Sequence, residues 1–440
     1  MAATDNRGVD LLQNDAMSGM ATVLSAGSSD RRPPRSDEPG GREMNDTLTA
    51  DIVIIGGSVI GSSAAWNLRQ DGFTGRIVIV ERDPTYARAS AYLAMGGIRQ
   101  QFCTPVTVRM VQHSVGIWKQ FDRMFASAAP NLRAWFRQRG YLFLADARSA
   151  AALMARHEAM RRAGAVVRLL SRDEIRALVP DLVLDDILFG VFGPEDGYAA
   201  PREVLRGLRA AAAAAGVEFV TGEVAAIVIE DAQASGVQLA DGTRIRASHV
   251  VVAAGPWTGS IARTAGLDVP VQPVRQVLFR ARLPRAWPHR FPMVVDPGGV
   301  HWRHDDPTAP GEPDRIIVAL TRWDEPAGEN FTPAMERWAA EFHPALERRL
   351  PAFRELSNIE GWAGLYEMTP DHNPVLGEHP SVSRLVFAAG FSGHGLMMAP
   401  ATGKIVSEIV RLGESRTFDV SLFAPDRFER GKLVHDGATI

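Results

Sequence analysis

A single cysteine, Cys103, stands among 440 residues. It excludes an intrachain disulfide and any cysteine-cluster metal site, and it is compatible with a reducing compartment. Charge of one sign is scarce too. Forty-eight basic residues against 51 acidic ones leave a net charge of -3, too small an excess to draw a polyanion, so nucleic acid is not an expected partner. No window reaches the roughly 18 uninterrupted apolar residues of a membrane span. The alanine run at 210–215 is flanked by arginines and reads as helix.

The first 48 residues lack apolar surface. Stretches such as SSDRRPPRSDEPGGRE are polar and rich in Pro and Gly, and are expected to remain an unfolded tail. They lack the apolar h-region of a secretory signal, and their acids argue against a transit peptide. Cytoplasmic residence is the resulting expectation. Met44, just ahead of the first strand, is an alternative start of translation.

What is present begins with DIVIIGGSVIGSS at residues 51–63. The β-branched run has no helical period and suits a buried parallel strand. VIGSSAAWNL (59–68) reads as a helix, and RIVIVERD (76–83) as a second buried strand ending in an acid. Together they form the β-α-β unit that a dinucleotide fingerprint requires. Gly56 permits the tight turn, Gly57 is counted with the phosphate-binding backbone, and Gly61 allows the helix to pack closely. Ser58, Val59 and Ile60 open the helix, whose N–H groups and positive dipole end face a pyrophosphate. Ser58 replaces the usual middle glycine, and its hydroxyl is expected to donate to a phosphate oxygen. Glu81, twenty residues past Gly61, is placed for ribose hydroxyls. Arg82 follows without the basic cluster that a 2′-phosphate needs, which leaves NAD and FAD.

Later segments decide between them by resemblance. ERDPTYARAS with GGIRQQF (81–90, 96–102), the AAG-x-W turn (253–257), DPGGVHWR (296–303), GWAGLYEMTPDHNPVLG (361–377) and LVFAAGFSGHGLMMAPATGKIVSEIV (385–410) resemble the D-amino-acid oxidase and sarcosine oxidase superfamily of flavoproteins. Within it, the chain is most similar to the branch of FAD-dependent oxidoreductase-domain proteins that includes a mitochondrial complex I assembly factor. The resemblance runs from about residue 50 to 435. It implies FAD as cofactor. Ser90 and Gly97 then lie in the loop beside the ring, Val224 meets the adenine, and Gly255, Trp257, Gly364, Gly393, His394, Gly395 and Leu396 complete the cofactor site. Some relatives tether FAD through a His or a Cys. The matching positions here are Leu93 and Gly364, so a non-covalent flavin is expected.

The resemblance also implies oxidation of a C–N bond in an amino acid or N-substituted amino acid, with hydride passing from Cα to flavin N5 and the imine then hydrolysed. Oxygen or an electron carrier reoxidises the flavin, and partner subunits are possible. Two other readings remain open: a flavoprotein that assembles another complex, and a 2-hydroxy-acid oxidase. For a substrate carboxylate the candidates are Arg99, Arg322 and Arg303, each with an ordinary ion-pair role as the alternative. Sarcosine oxidases carry a Lys where this chain has Met397, which argues against a sarcosine-like mode. His394 is a candidate for tuning the pyrimidine edge, and Tyr366 for lining the pocket. His301 and His304, near Asp305 and Asp306, read as a solvated loop, so no metal is expected. Trp118, Phe121, Trp135 and Phe136 read as core aromatics of helices.

The expected fold is α/β, or α+β overall: a Rossmann-type FAD-binding domain of discontinuous segments (50–130, 195–268, 360–415). A mostly antiparallel substrate sheet with helices (131–194, 269–359) joins it, and a loop-rich C-terminal strap spans 416–440.

Overall fold

The computed structural model describes residues 47–287, 289–305 and 314–437. Residues 1–46 and Asp306 lie outside the described residues, whereas Thr47 and Leu48, expected in the tail, belong to the first strand. The first strand, β1 (Thr47–Ile55), carries four successive residues, Ile52 to Ile55, that are each at most 5% exposed. Such a run, buried on both faces, belongs in the middle of a parallel sheet. β1 lies between Arg244–Val252 and β2 (Ile77–Glu81), parallel to both. Val382–Ala389 continues the parallel array beyond Arg244–Val252, and Glu218–Thr221 continues it beyond β2. Val375–His379 closes one edge antiparallel. The strands Val224–Glu230 and Gln233–Leu239 form the meander leading into Arg244–Val252.

Helix α1 (Val59–Gln70) and the last helix, Gly395–Leu412, pack against each other. Gly403 lies so close to α1 that a Cβ there would strike Ser63 and Asn67, and Ser63 Oγ donates to the Ala399 carbonyl at 2.8 Å. Small residues at this crossing bring the two helices together, and with them the two glycine turns that precede them. Ile55 pairs with Val252 and Val252 with Phe387, so three parallel strands end at one edge of the sheet. That edge is where open α/β sheets bind ligands.

The second sheet runs in the order Ser357–Met368, Gln272–Arg282, Arg315–Leu320, Val300–Asp305, Met293–Val295, Tyr141–Asp146, Ile187–Gly193, Arg168–Leu170. It is antiparallel except where Met293–Val295 meets Tyr141–Asp146. Strand alternation divides its faces. Phe279 and Ala281 enter a core in which Phe279 meets Phe342 at 4.8 Å between ring centroids, while Gln276 and Leu278 face the cavity between the sheets and Val277 touches both. Because Ser357–Met368 is an edge strand here, residues 360–368 belong to this sheet and not to the 360–415 segment expected for the other. Both sheets lie within one compact unit, Asn45–Ile440.

Trp118 and Phe121 are helical core residues. Trp135 and Phe136 are not: they lie half-buried in an irregular segment, where Trp135 has a φ of 48° and stacks against Arg137. After the last helix, Arg427 pairs with buried Asp371 through two bonds of 2.8 Å, and Asp436 accepts the Cys103 and Thr104 N–H groups. Among the described residues no helix is long and apolar enough to cross a membrane.

Candidate active site

A cavity of about 630 Å³ runs from the β1 turn to the second sheet. Gly56 has a φ of +98° and sits against the Ala253 carbonyl, leaving no room for a Cβ. Gly57 N–H and Asp83 N–H both donate to the Glu81 carboxylate at 2.9 Å. Glu81 is thereby fixed at the end of β2, facing the cavity. Of the residues expected in the first turn, Gly56, Ser58, Val59, Ile60, Glu81 and Arg82 line it. Gly57 and Gly61 do not. Gly57 supports Glu81, and Gly61 packs against the Gly56 carbonyl, so both shape the turn from behind.

Ser58 is the N-cap residue of α1, yet its hydroxyl makes no capping bond. The hydroxyls of Ser58, Ser90 and Tyr86 are all buried without a hydrogen-bond partner in the protein, and all three residues line the cavity. Buried hydroxyls normally find partners; these three are left for a ligand. Arg82 stacks on Trp257 at 3.8 Å, and Trp257 Nε1 donates to Glu329 at 2.7 Å.

The other expected residues, Gly97, Val224, Gly255, Gly364, Gly393, Gly395 and Leu396, also line the cavity, as do Arg99, Tyr366 and His394. Arg99 is 1% exposed. Its Nη1 donates to the Gln101 carbonyl at 2.6 Å, Nη2 lies 3.2 Å from His394 Nε2, and Phe102 lies under the guanidinium at 4.3 Å. Burial and the Arg99 charge hold the His394 pKa well below the ordinary imidazole range. The ring is neutral, with Nε2 accepting from Arg99. The Tyr366 ring lies against Gly393, where a Cβ would be only 2.6 Å from it.

Arg322 is placed elsewhere. It is partly exposed and ion-paired with Asp324 and Glu341, outside the cavity lining. Arg303 is buried, but its Nε donates to the Met95 carbonyl at 2.7 Å and its face covers Tyr198; it braces the loop behind the cavity. His301 and His304 are buried, not solvated. His301 Nδ1 bonds the Gly299 carbonyl and His304 Nδ1 meets Arg290. Among the described residues no three His, Cys, Asp or Glu side chains form a metal cluster.

Two buried acids escaped the sequence reading. Asp196 accepts the Gln100 N–H at 2.9 Å and Gln101 Nε2 at 3.0 Å, bracing the segment that follows Arg99, and burial pushes its pKa up to about 7. Glu367, also raised to about 7 by burial, lines the cavity next to Tyr366. Tyr141 and His301 join Glu367 on the wall from the second sheet, while Asp196 lies outside the lining. Asp196 sits in the turn between Ile187–Gly193 and Gly197–Tyr198, and Glu367 on an edge strand; neither position carries a local sign that the facing sheet will bury it.

The profile described as DAO, FAD dependent oxidoreductase, matches residues 51–409. The chain belongs to this FAD-dependent oxidoreductase family. FAD-dependent oxidoreductase domain-containing protein 1 of Bos taurus is 33% identical over 424 residues, covering 88% of this chain and 86% of that protein. Glycine oxidase of Bacillus licheniformis is 27% identical over 395 residues, covering 88% and 98%. Among solved structures, L-proline dehydrogenase from P. horikoshii superimposes with a TM-score of 0.79 at 28% identity, over 88% of this chain and 100% of that one. As a member of this family the protein is an FAD-dependent oxidoreductase, and the three orphaned hydroxyls fit that cofactor. Ser58 and the α1 N-terminus would hold its pyrophosphate, Glu81 its ribose, and the Gly393–Leu396 turn its ring.

Proposed function

We propose that the protein oxidises the C–N bond of an amino acid or N-substituted amino acid. The observation that carries this reading is Arg99, a fully buried guanidinium on a cavity wall that also presents Leu278, Ala319, Leu365 and Met397. A cation in such surroundings recruits a carboxylate, and a planar guanidinium does so with two parallel hydrogen bonds. His301 and Thr321 line the same cavity as Arg99, and an open chamber at the guanidinium supports catalysis over a purely assembling role. The names of glycine oxidase and L-proline dehydrogenase relatives point the same way.

FAD, when bound, supplies the electron-pair sink. The chain's own residues do the rest. Arg99 binds and orients the carboxylate, Tyr366 and the apolar wall exclude water, and His394 holds the guanidinium through Nε2. His394 is committed to that bond, so the amine must arrive neutral and not be deprotonated by this ring. Anaerobic mixing with a panel of amino acids and N-alkyl amino acids tests the reading: bleaching of the flavin visible band, with ammonia or amine released, supports it. A flavin that dithionite bleaches and no panel member does overturns it, and keto-acid formation without amine release identifies a hydroxy-acid oxidase instead.

A further inference from the structure

Glu367 is a cavity residue to which the proposed reaction assigns no role. It stands near the end of the edge strand Ser357–Met368, buried, with its carboxyl group between two backbone turns. Oε2 accepts the Gly390 N–H at 2.9 Å, and the Phe391 N–H is a second donor. A Cβ on Gly395, the first residue of the last helix, would lie 3.4 Å from Oε1, and one on Gly255 would lie 3.9 Å from Oε2. Both of those glycines line the cofactor cavity. The carboxyl group is therefore held by the loop that leads into the last helix and lies beside that helix's N-terminus, the place where negative charge arriving on a reduced ring is stabilised.

We propose that Glu367 takes up a proton when the cofactor held in this cavity is reduced, and so couples its reduction potential to pH. Two negative charges in one dry site oppose each other, and the second is avoided by binding a proton. The balance closes. Two electrons and one proton produce the anionic reduced flavin, a second proton neutralises the Glu367 carboxylate, and the net charge of the cavity is unchanged. The groups facing this region leave Glu367 as the one poised to respond. His394, on the same loop, is held neutral, and Tyr366, on the same strand, is raised by burial. Arg99 keeps its charge at any accessible pH. Asp371, beyond Thr369, is locked to Arg427 and held low, and His372 is lowered by burial. The Gly255 turn contributes Gly, Pro and Trp, and Pro273 faces Glu367 across the sheet. Burial, working against the Gly390 and Phe391 N–H bonds that lower it, brings Glu367 up to about 7 in the protein before any charge is added.

The inference concerns FAD reduction, not the substrate, and dithionite titration with mediator dyes tests it on the FAD-loaded protein. Below pH 7 the group is protonated in both redox states and one proton should accompany two electrons. Above pH 7 it is ionised only in the oxidised state, so two protons should be taken up. Each proton adds about 30 mV per pH unit to the slope of a two-electron couple, so the slope should roughly double above neutrality. E367Q should keep the one-proton slope throughout, while D196N, which removes a buried acid outside the cavity lining, should keep the break. A wild-type slope of one proton per two electrons at all pH values, or a break that survives in E367Q, overturns the proposal. If E367Q does not retain FAD, the wild-type profile alone decides. Because no substrate enters the measurement, its failure leaves the amino-acid reading intact, and the reverse also holds.

Discussion

Leu93 and Gly364 meet on the cavity wall: a Cβ placed on Gly364 would lie 3.1 Å from the Cβ of Leu93. One comes from the loop after Glu81, the other from the edge strand of the second sheet. Neither side chain offers a nucleophile to the cofactor. FAD should therefore leave on denaturation, with the intact protein showing its unmodified mass and all flavin in the supernatant; a mass increased by FAD would contradict this.

Ser58 stands at the first turn with a buried hydroxyl that the protein leaves unpaired. If it donates to a phosphate oxygen, S58A should weaken FAD binding about tenfold, the worth of one such bond. Fluorescence titration of the apoprotein measures it. An unchanged or tighter Kd would mean that the hydroxyl serves no ligand. G56A should abolish FAD binding outright, since Gly56 combines a φ of +98° with a backbone contact that admits no Cβ.

Arg99 and Arg322 should separate cleanly in kinetics. R99M removes the buried cation that a carboxylate would pair with, and the KM for an acidic substrate should rise roughly 100-fold. R99K should recover only part of it, because an ammonium cannot form the forked pair. R322A should change KM less than about twofold, as expected of an exposed ion pair. Equal effects from the two would remove Arg99 from the substrate site.

Asp196 gives a pH signature of stability. Burial raises its folded pKa to about 7, far above the roughly 3.9 of an unfolded aspartate. Between these values the folded protein holds a proton that the unfolded chain has lost, so stability should fall as pH rises from about 4 to 7. Glu367 adds to the same trend. Melting temperatures across that range should drop less in D196N than in the wild type, and an identical drop would show Asp196 ionised throughout.

Local pattern made the first unit legible. The β-branched run, the glycine spacing and Glu81 are all set within about thirty residues, and β1, α1 and β2 form where that pattern places them. Trp135 misled because an aromatic near a helical stretch looks like core, whereas that helix ends at Phe125 and Trp135 lies in irregular chain with a φ of 48°. Glu367 was hidden by its neighbour. Adjacent strand residues face opposite ways, so choosing Tyr366 as a pocket residue turned attention from the next position; at the strand's end both reach the cavity.

The sequence by itself determined the two strand–turn–helix units and the kind of ligand they take, because turn chemistry and strand periodicity are short-range properties. Tertiary structure decided which charged groups serve the site. Crossing α1 and the last helix at Ser63 and Gly403 set the two turns side by side, and the packing of the sheets then buried Arg99, Asp196 and Glu367 while leaving Arg322 partly exposed outside the cavity. Burial and its electrostatic consequences depend on what lies across the cavity, and no local stretch of chain encodes that.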